Sequence, residues 1–187
     1  MRRYVSRRKG IPFRSKSVLE VDNKKPDCGL CSAAQRICIF AMICNLCPRR
    51  CGADRSTPQG LKRSICRATD DVEIALVSLH AWEEPILESG NSAGTVFFSH
   101  CNLRCCFCQN YEISAGGKGL KVTTARLTDI FLEEAERGAS CIELVTPGHY
   151  TRQIREALLS AKAQGLKLPV VYNSNAYELP ETLRMLD

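Results

Sequence analysis

Apolar residues downstream of Asp71 follow two alternating spacings, one suited to strands and one to helices. Val72 to Leu79 reads as a strand. After a turn containing Gly90, Asn91 and Gly94, Thr95-Val-Phe-Phe98 is a short apolar, β-rich run. Thr124 to Arg137 has helical spacing through Leu127, Ile130, Phe131 and Ala135 and is closed by Gly138. Cys141 to Val145 predicts a strand, Thr151 to Gln164 a helix ended by Gly165, Pro169 to Tyr172 a strand, and Pro180 to Leu186 the start of a further helix. This β-α-β-α-β-α order predicts an α/β fold, a parallel sheet or barrel with its site at the strands' C-terminal ends.

Upstream the pattern is different. Residues 28–70 carry Cys28, Cys31, Cys38, Cys44, Cys47, Cys51 and Cys66 among the breakers Pro48, Gly52, Pro58 and Gly60, which predicts loops folded around ligands. Residues 1–27 form a basic tail: nine Lys or Arg against two acids lie within Met1 to Lys25, a local charge of +7 in a chain whose total is +6. The remainder is therefore close to neutral, so the basicity describes a solvated tail, with contact to a nucleic acid or another acidic surface as the alternative reading of it. Arg2-Arg3 is followed by no hydrophobic segment of the kind an export signal needs. No run reaches the ~20 apolar residues of a membrane span, and Ile37 to Ile43 soon gives way to Cys44-Asn-Leu-Cys-Pro-Arg-Arg. A cytoplasmic location without membrane contact is the expectation. An apolar content of 44% over 187 residues is enough to bury a core.

Eleven of the twelve cysteines fall between Cys28 and Cys108, in C-x2-C and C-x3-C groups. Such clustering favours metal over disulfides. Cys101-Asn-Leu-Arg-Cys105-Cys106-Phe107-Cys108 follows directly on the strand ending at Phe98 and contains C-x3-C-x2-C. Three thiolates on a tight loop can hold three irons of a [4Fe–4S] cubane and leave the fourth open. An open iron can chelate the amino and carboxylate groups of S-adenosylmethionine (SAM) beside an electron source, so that one electron cleaves a carbon–sulfur bond and releases a 5′-deoxyadenosyl radical. The competing reading is a zinc site completed by His100 or a distant ligand. Cys106 reads as a spare thiol. Cys44, Cys47, Cys51 and Cys66 form a second candidate set, suited to structural zinc, to a second iron–sulfur cluster or to metal-free buried thiols.

The run Gly94 to Ser114, which includes the cysteine loop, resembles the cluster loop of the radical SAM superfamily, in particular proteins similar to pyruvate formate-lyase activating enzyme. His80-Ala-Trp-Glu-Glu-Pro85, Leu144-Val-Thr-Pro-Gly-His-Tyr150, Val171-Tyr-Asn-Ser-Asn-Ala-Tyr177 and Cys44-Asn-Leu-Cys-Pro-Arg-Arg-Cys51 extend the resemblance over residues 44–187. It implies a partial (β/α) barrel of the radical SAM type, with residues 71–187 as its N-terminal half. It implies that Phe107 lies near the adenine of SAM, that Val145 to His149 replaces a Gly-Gly-Glu-type segment with Thr146 contributing, and that Tyr172, Asn173 and Ser174 reach the ribose or carboxylate. Loop packing and turn hydrogen bonding are the alternatives for these residues, and Glu83 and Glu84 read as surface charges after a packed Trp82.

The resemblance further implies a glycyl radical enzyme as protein substrate and reduced flavodoxin or ferredoxin as electron donor. The family has more β/α units than the three legible here, so the chain reads as C-terminally truncated, with an exposed sheet edge and weak activity by itself. Two classes of function follow. One is an enzyme that cleaves SAM reductively; the other is a truncated, non-catalytic iron–sulfur or zinc module for electron transfer or structure.

Overall fold

A computed structural model describes residues 43–81 and 92–187. The basic tail, Cys28, Cys31, Cys38, Trp82, Glu83 and Glu84 lie outside the described residues.

The cysteine-rich region is more regular than loops. Strands β1 (Ile43–Cys44) and β2 (Ala53–Asp54) pair antiparallel, Ile43 with Asp54 and Cys44 with Ala53, so the connection between them carries Cys47 and Cys51. A short helix, α1 (Pro58–Arg63), follows. Thr57 caps it by accepting from the Gly60 N–H at 3.1 Å, and Pro58 fits the first turn because no N–H is needed there. Gly60 has no side chain for a reason: a Cβ there would meet the Asp54 carbonyl oxygen at 1.8 Å.

The main sheet has five strands: β3 (Val72–His80), β4 (Ala93–Phe98), β5 (Leu120–Val122), β6 (Ile142–Val145) and β7 (Val170–Asn173). Their order is β5-β3-β4-β6-β7. β4, β6 and β7 run parallel, as the alternation of elements predicts, whereas β3 is antiparallel to both β4 and β5. The sheet is therefore mixed and open, with β5 and β7 as its edges. Leu120–Val122 is too short to register as a strand in the sequence, and it becomes one by pairing with Val72–Ile74.

Helix α3 (Thr124–Glu136) follows the four-residue α2 (Tyr111–Ser114), and α4 (Thr151–Ala163) follows a 3-10 turn at Gly148–Tyr150. Thr123 caps α3 by accepting from the Arg126 N–H at 3.1 Å. Leu127, Ile130 and Phe131 from α3 and Ile154, Ala157, Leu158 and Ala161 from α4 pack with Val96, Phe98, Ile142 and Leu144 of the sheet in one core. Spacings of three and four residues bring each helical set onto a single face. Each large side chain buried there contributes on the order of 1.5–3 kcal/mol of transfer free energy. The chain's last described segments are α5 (Pro180–Leu183) and a 3-10 turn at Arg184–Leu186. Among the described residues no helix is long and apolar enough to cross a membrane.

Candidate functional site

Successive residues of β4 face opposite sides of the sheet. Val96 and Phe98 enter the helix-covered core, and after Phe98 the chain leaves the sheet into the cysteine loop. The departure is held firmly. Ser99 N donates to Glu73 O at 2.8 Å and its Oγ to Lys118 O at 2.8 Å, while His100 N donates to Ile113 O at 2.8 Å. His100 Nε2 lies 3.1 Å from Glu73 Oε2. Cys108 N closes the tight turn by donating to Cys105 O at 3.3 Å.

Cys101, Cys105 and Cys108 line one cavity of about 120 Å³, together with Phe98, Arg104, Val145, Thr146 and Asn175. The cavity sits where β4, β6 and β7 end. Backbone geometry marks the same place: His100, Arg104, Thr146 and Ala176 adopt positive φ (71°, 56°, 47° and 60°), although none is glycine. Thr146 is β-branched, for which this region is most costly, and its N–H is fixed by donating to Asn173 O at 2.9 Å. Strain of this kind gathers where a site requires a particular backbone course.

Hydrogen-bond donors converge on the sulfurs. Cys101 Sγ accepts from Leu103 N at 3.4 Å and from Asn175 Nδ2 at 3.4 Å, and Cys108 Sγ lies 3.3 Å from Ser114 Oγ. Cys106 is exposed. N–H donors aimed at sulfur are the surroundings an anionic thiolate ligand uses.

The second cysteine set is drawn together only in part. Burial raises the Cys47 thiol pKa; the Arg49 main-chain N–H and the Asn102 side chain oppose this, and neighbouring Cys44 and Cys66 add to it. Cys44 Sγ lies 3.9 Å from Arg55 Nη1, and Cys66 Sγ 3.2 Å from Ser64 Oγ. Among the described residues no group of three or more His, Cys, Asp or Glu is arranged to hold a metal ion.

The other expected contacts divide. Thr146 lines the cavity, whereas Phe107 is 85% exposed and is not part of the lining. Asn173 donates through Nδ2 to Glu143 Oε1 at 2.8 Å. Tyr172 Oη and Ser174 Oγ both bond Glu178, at 3.5 and 2.6 Å, which fits turn hydrogen bonding. Burial, assisted by Glu178, pushes the Tyr172 phenol upward.

Several residues of the site give no local signal in the sequence. Asn102, buried beside Cys101, accepts from Asn175 Nδ2 at 2.7 Å and donates to Tyr177 O at 2.9 Å. Arg49 donates to Asn102 O at 3.1 Å and stacks over the Tyr177 ring at 5.3 Å. The cysteine-bearing hairpin is thereby fastened to the cysteine loop. Glu143 is 1% exposed on β6, where it also accepts from Thr95 Oγ1 at 2.8 Å. Asparagines after strand ends are common in turns, so only their neighbours in space distinguish these.

A protein of Methanocaldococcus jannaschii described as uncharacterized is 27% identical over 150 residues, which cover 76% of this chain and 41% of that protein. The chain thus spans less than half the length of this curated relative. No family profile and no solved structure matches.

Proposed function

We propose that this chain carries the cluster-binding part of a radical SAM enzyme, with Cys101, Cys105 and Cys108 as ligands of a [4Fe–4S] cluster. The observation that carries the reading is that these three thiols line one cavity at the C-terminal ends of three parallel strands, together with Thr146 and Asn175. Open α/β sheets bind ligands at that end. Three thiols on one cavity can occupy three iron sites of a cubane, and the donors on Cys101 suit an anionic sulfur. The residues present therefore fit the cluster.

When bound, the group supplies one electron to SAM, which separates into methionine and a 5′-deoxyadenosyl radical able to remove a hydrogen atom from substrate. The chain's own contribution is position. Cys101, Cys105 and Cys108 hold the cluster at the strand ends, and the Ser99 and His100 hydrogen bonds fix where the loop begins. Thr146 presents strained backbone to the cavity and is the first candidate for contact with SAM; Asn173, held by Glu143, is the second. Phe107 reaches the adenine only by turning in from its exposed position. A partial (β/α) barrel, a glycyl radical enzyme as substrate, and flavodoxin or ferredoxin as electron donor complete the proposal.

Electron paramagnetic resonance of anaerobically reconstituted, reduced protein, with and without SAM, tests this reading. A [4Fe–4S]⁺ signal whose g-values shift with SAM is expected. Stoichiometric zinc without iron, or a cluster signal indifferent to SAM, would overturn it in favour of a structural or electron-transfer module.

A further inference from the structure

Two asparagines connect β7 to the candidate cluster loop. Asn175 lies two residues beyond β7 and reaches back across 74 positions to place Nδ2 at 3.4 Å from Cys101 Sγ. The same nitrogen donates to Asn102 Oδ1 at 2.7 Å. An amide nitrogen carries two hydrogens, so one can serve each acceptor. Asn175 is held from its other end as well: its Oδ1 accepts from Tyr177 N at 3.1 Å. Asn102 is fixed in turn by donating to Tyr177 O at 2.9 Å, and its main-chain carbonyl receives Arg49 Nε at 3.1 Å. The rotamer of Asn175 is thus set by contacts other than its contact with sulfur. A donor oriented in advance costs little ordering entropy when the sulfur becomes negative.

We propose that Asn175 is a positioning residue for the cluster, donating an N–H to the Cys101 thiolate and raising the reduction potential of the group bound there. The proposal rests on reading Cys101, Cys105 and Cys108 as cluster ligands. Adding one electron to the cluster increases negative charge on its sulfurs, and an N–H donor stabilises the reduced form more than the oxidised one. Hydrogen bonds to sulfur are among the levers by which proteins set such potentials. The Leu103 N–H, at 3.4 Å from the same sulfur, remains in any Asn175 variant, so losing Asn175 removes part of the effect rather than all of it.

The test is an anaerobic redox titration of reconstituted full chain with dithionite, following the reduced-cluster resonance in the absence of SAM. Wild type, Asn102→Ala, Asn175→Ala and Asn175→Asp are compared at matched iron and sulfide content. The expected midpoint potentials become more negative in that order. Asn102→Ala loosens the donor, Asn175→Ala deletes it, and Asn175→Asp replaces it with a negative charge. Coincident potentials in variants that retain the cluster would overturn the proposal. Loss of the cluster from both Asn175 variants would also overturn it, assigning Asn175 to assembly instead of tuning. Failure of wild type to form any [4Fe–4S] cluster would instead refute the reading of the three cysteines, and the present inference with it.

Discussion

The Arg55 guanidinium donates to the main-chain carbonyl of His149, a residue 94 positions further along the chain. Arg55 is 3% exposed and also donates to the carbonyls of Ala68, at 3.0 Å, and Thr69, while its guanidinium lies 5.3 Å from the Tyr150 ring centroid. One side chain thereby ties the cysteine-bearing hairpin to the turn after β6.

Replacing Arg55 therefore leaves buried carbonyls without donors. Arg55→Lys keeps the charge but cannot reproduce a planar fork with several N–H directions. A loss of about 3 kcal/mol of unfolding free energy is expected for Arg55→Ala, with Arg55→Lys recovering only a minor part. Chemical denaturation followed by circular dichroism measures both.

His149 predicts a pH dependence. Burial, with smaller contributions from Arg55 and His100, pushes its imidazole down to about 3, against the opposing influence of the Ser99 carbonyl. Nε2 lies 2.8 Å from that carbonyl, so the neutral ring donates through Nε2–H. The folded pKa lies below the unfolded one, so protons favour the unfolded chain. The neutral ring's contribution is complete above about pH 6.5 and is lost progressively as pH falls toward 3, at up to roughly 1.4 kcal/mol per pH unit. Denaturation midpoints of wild type and His149→Gln across this window should converge as the pH falls; parallel curves would contradict the assignment.

The two types of cysteine in the 101–108 loop should separate cleanly. On the proposed reading of these three as cluster ligands, Cys101→Ala, Cys105→Ala and Cys108→Ala are each expected to lower reconstituted iron several-fold, because each removes one of three protein thiolates. Cys106, exposed and outside the cavity lining, should be replaceable by Ser with iron content unchanged. Iron and acid-labile sulfide assays report the result.

Gly94 lets α3 approach β4. A Cβ at this position would lie 2.9 Å from Glu134 Cβ and 3.0 Å from Ala139 Cβ. Gly94→Ala should therefore cost about 1–3 kcal/mol through overpacking. Thermal unfolding provides the measurement, and an unchanged midpoint would mean that α3 yields at that contact.

Much of the scaffold is legible in the sequence because its signals are local. Leu127, Ile130 and Phe131 mark α3 by spacing, and Gly138 and Gly165, both at positive φ, mark where helices finish. The order of cysteine loop, helix and strand after Phe98 is equally readable. β5 and α2 are not, since three or four residues carry too short a pattern. The antiparallel placement of β3 is also hidden, because an alternating strand looks the same in either direction.

By itself, the sequence determined which segments alternate as strand and helix, and that three cysteines at C-x3-C-x2-C spacing leave the end of β4. Tertiary structure alone decided that Asn175 meets Cys101, that Arg55 spans to His149, and that Thr182 Oγ1 donates to Leu46 O at 2.8 Å across 136 residues. Periodicity reports the angle between nearby side chains, so it identifies faces. It carries no information about which distant polar group closes on which. That is settled when the sheet order brings the ends of β4, β6 and β7 side by side and most buried donors find an acceptor.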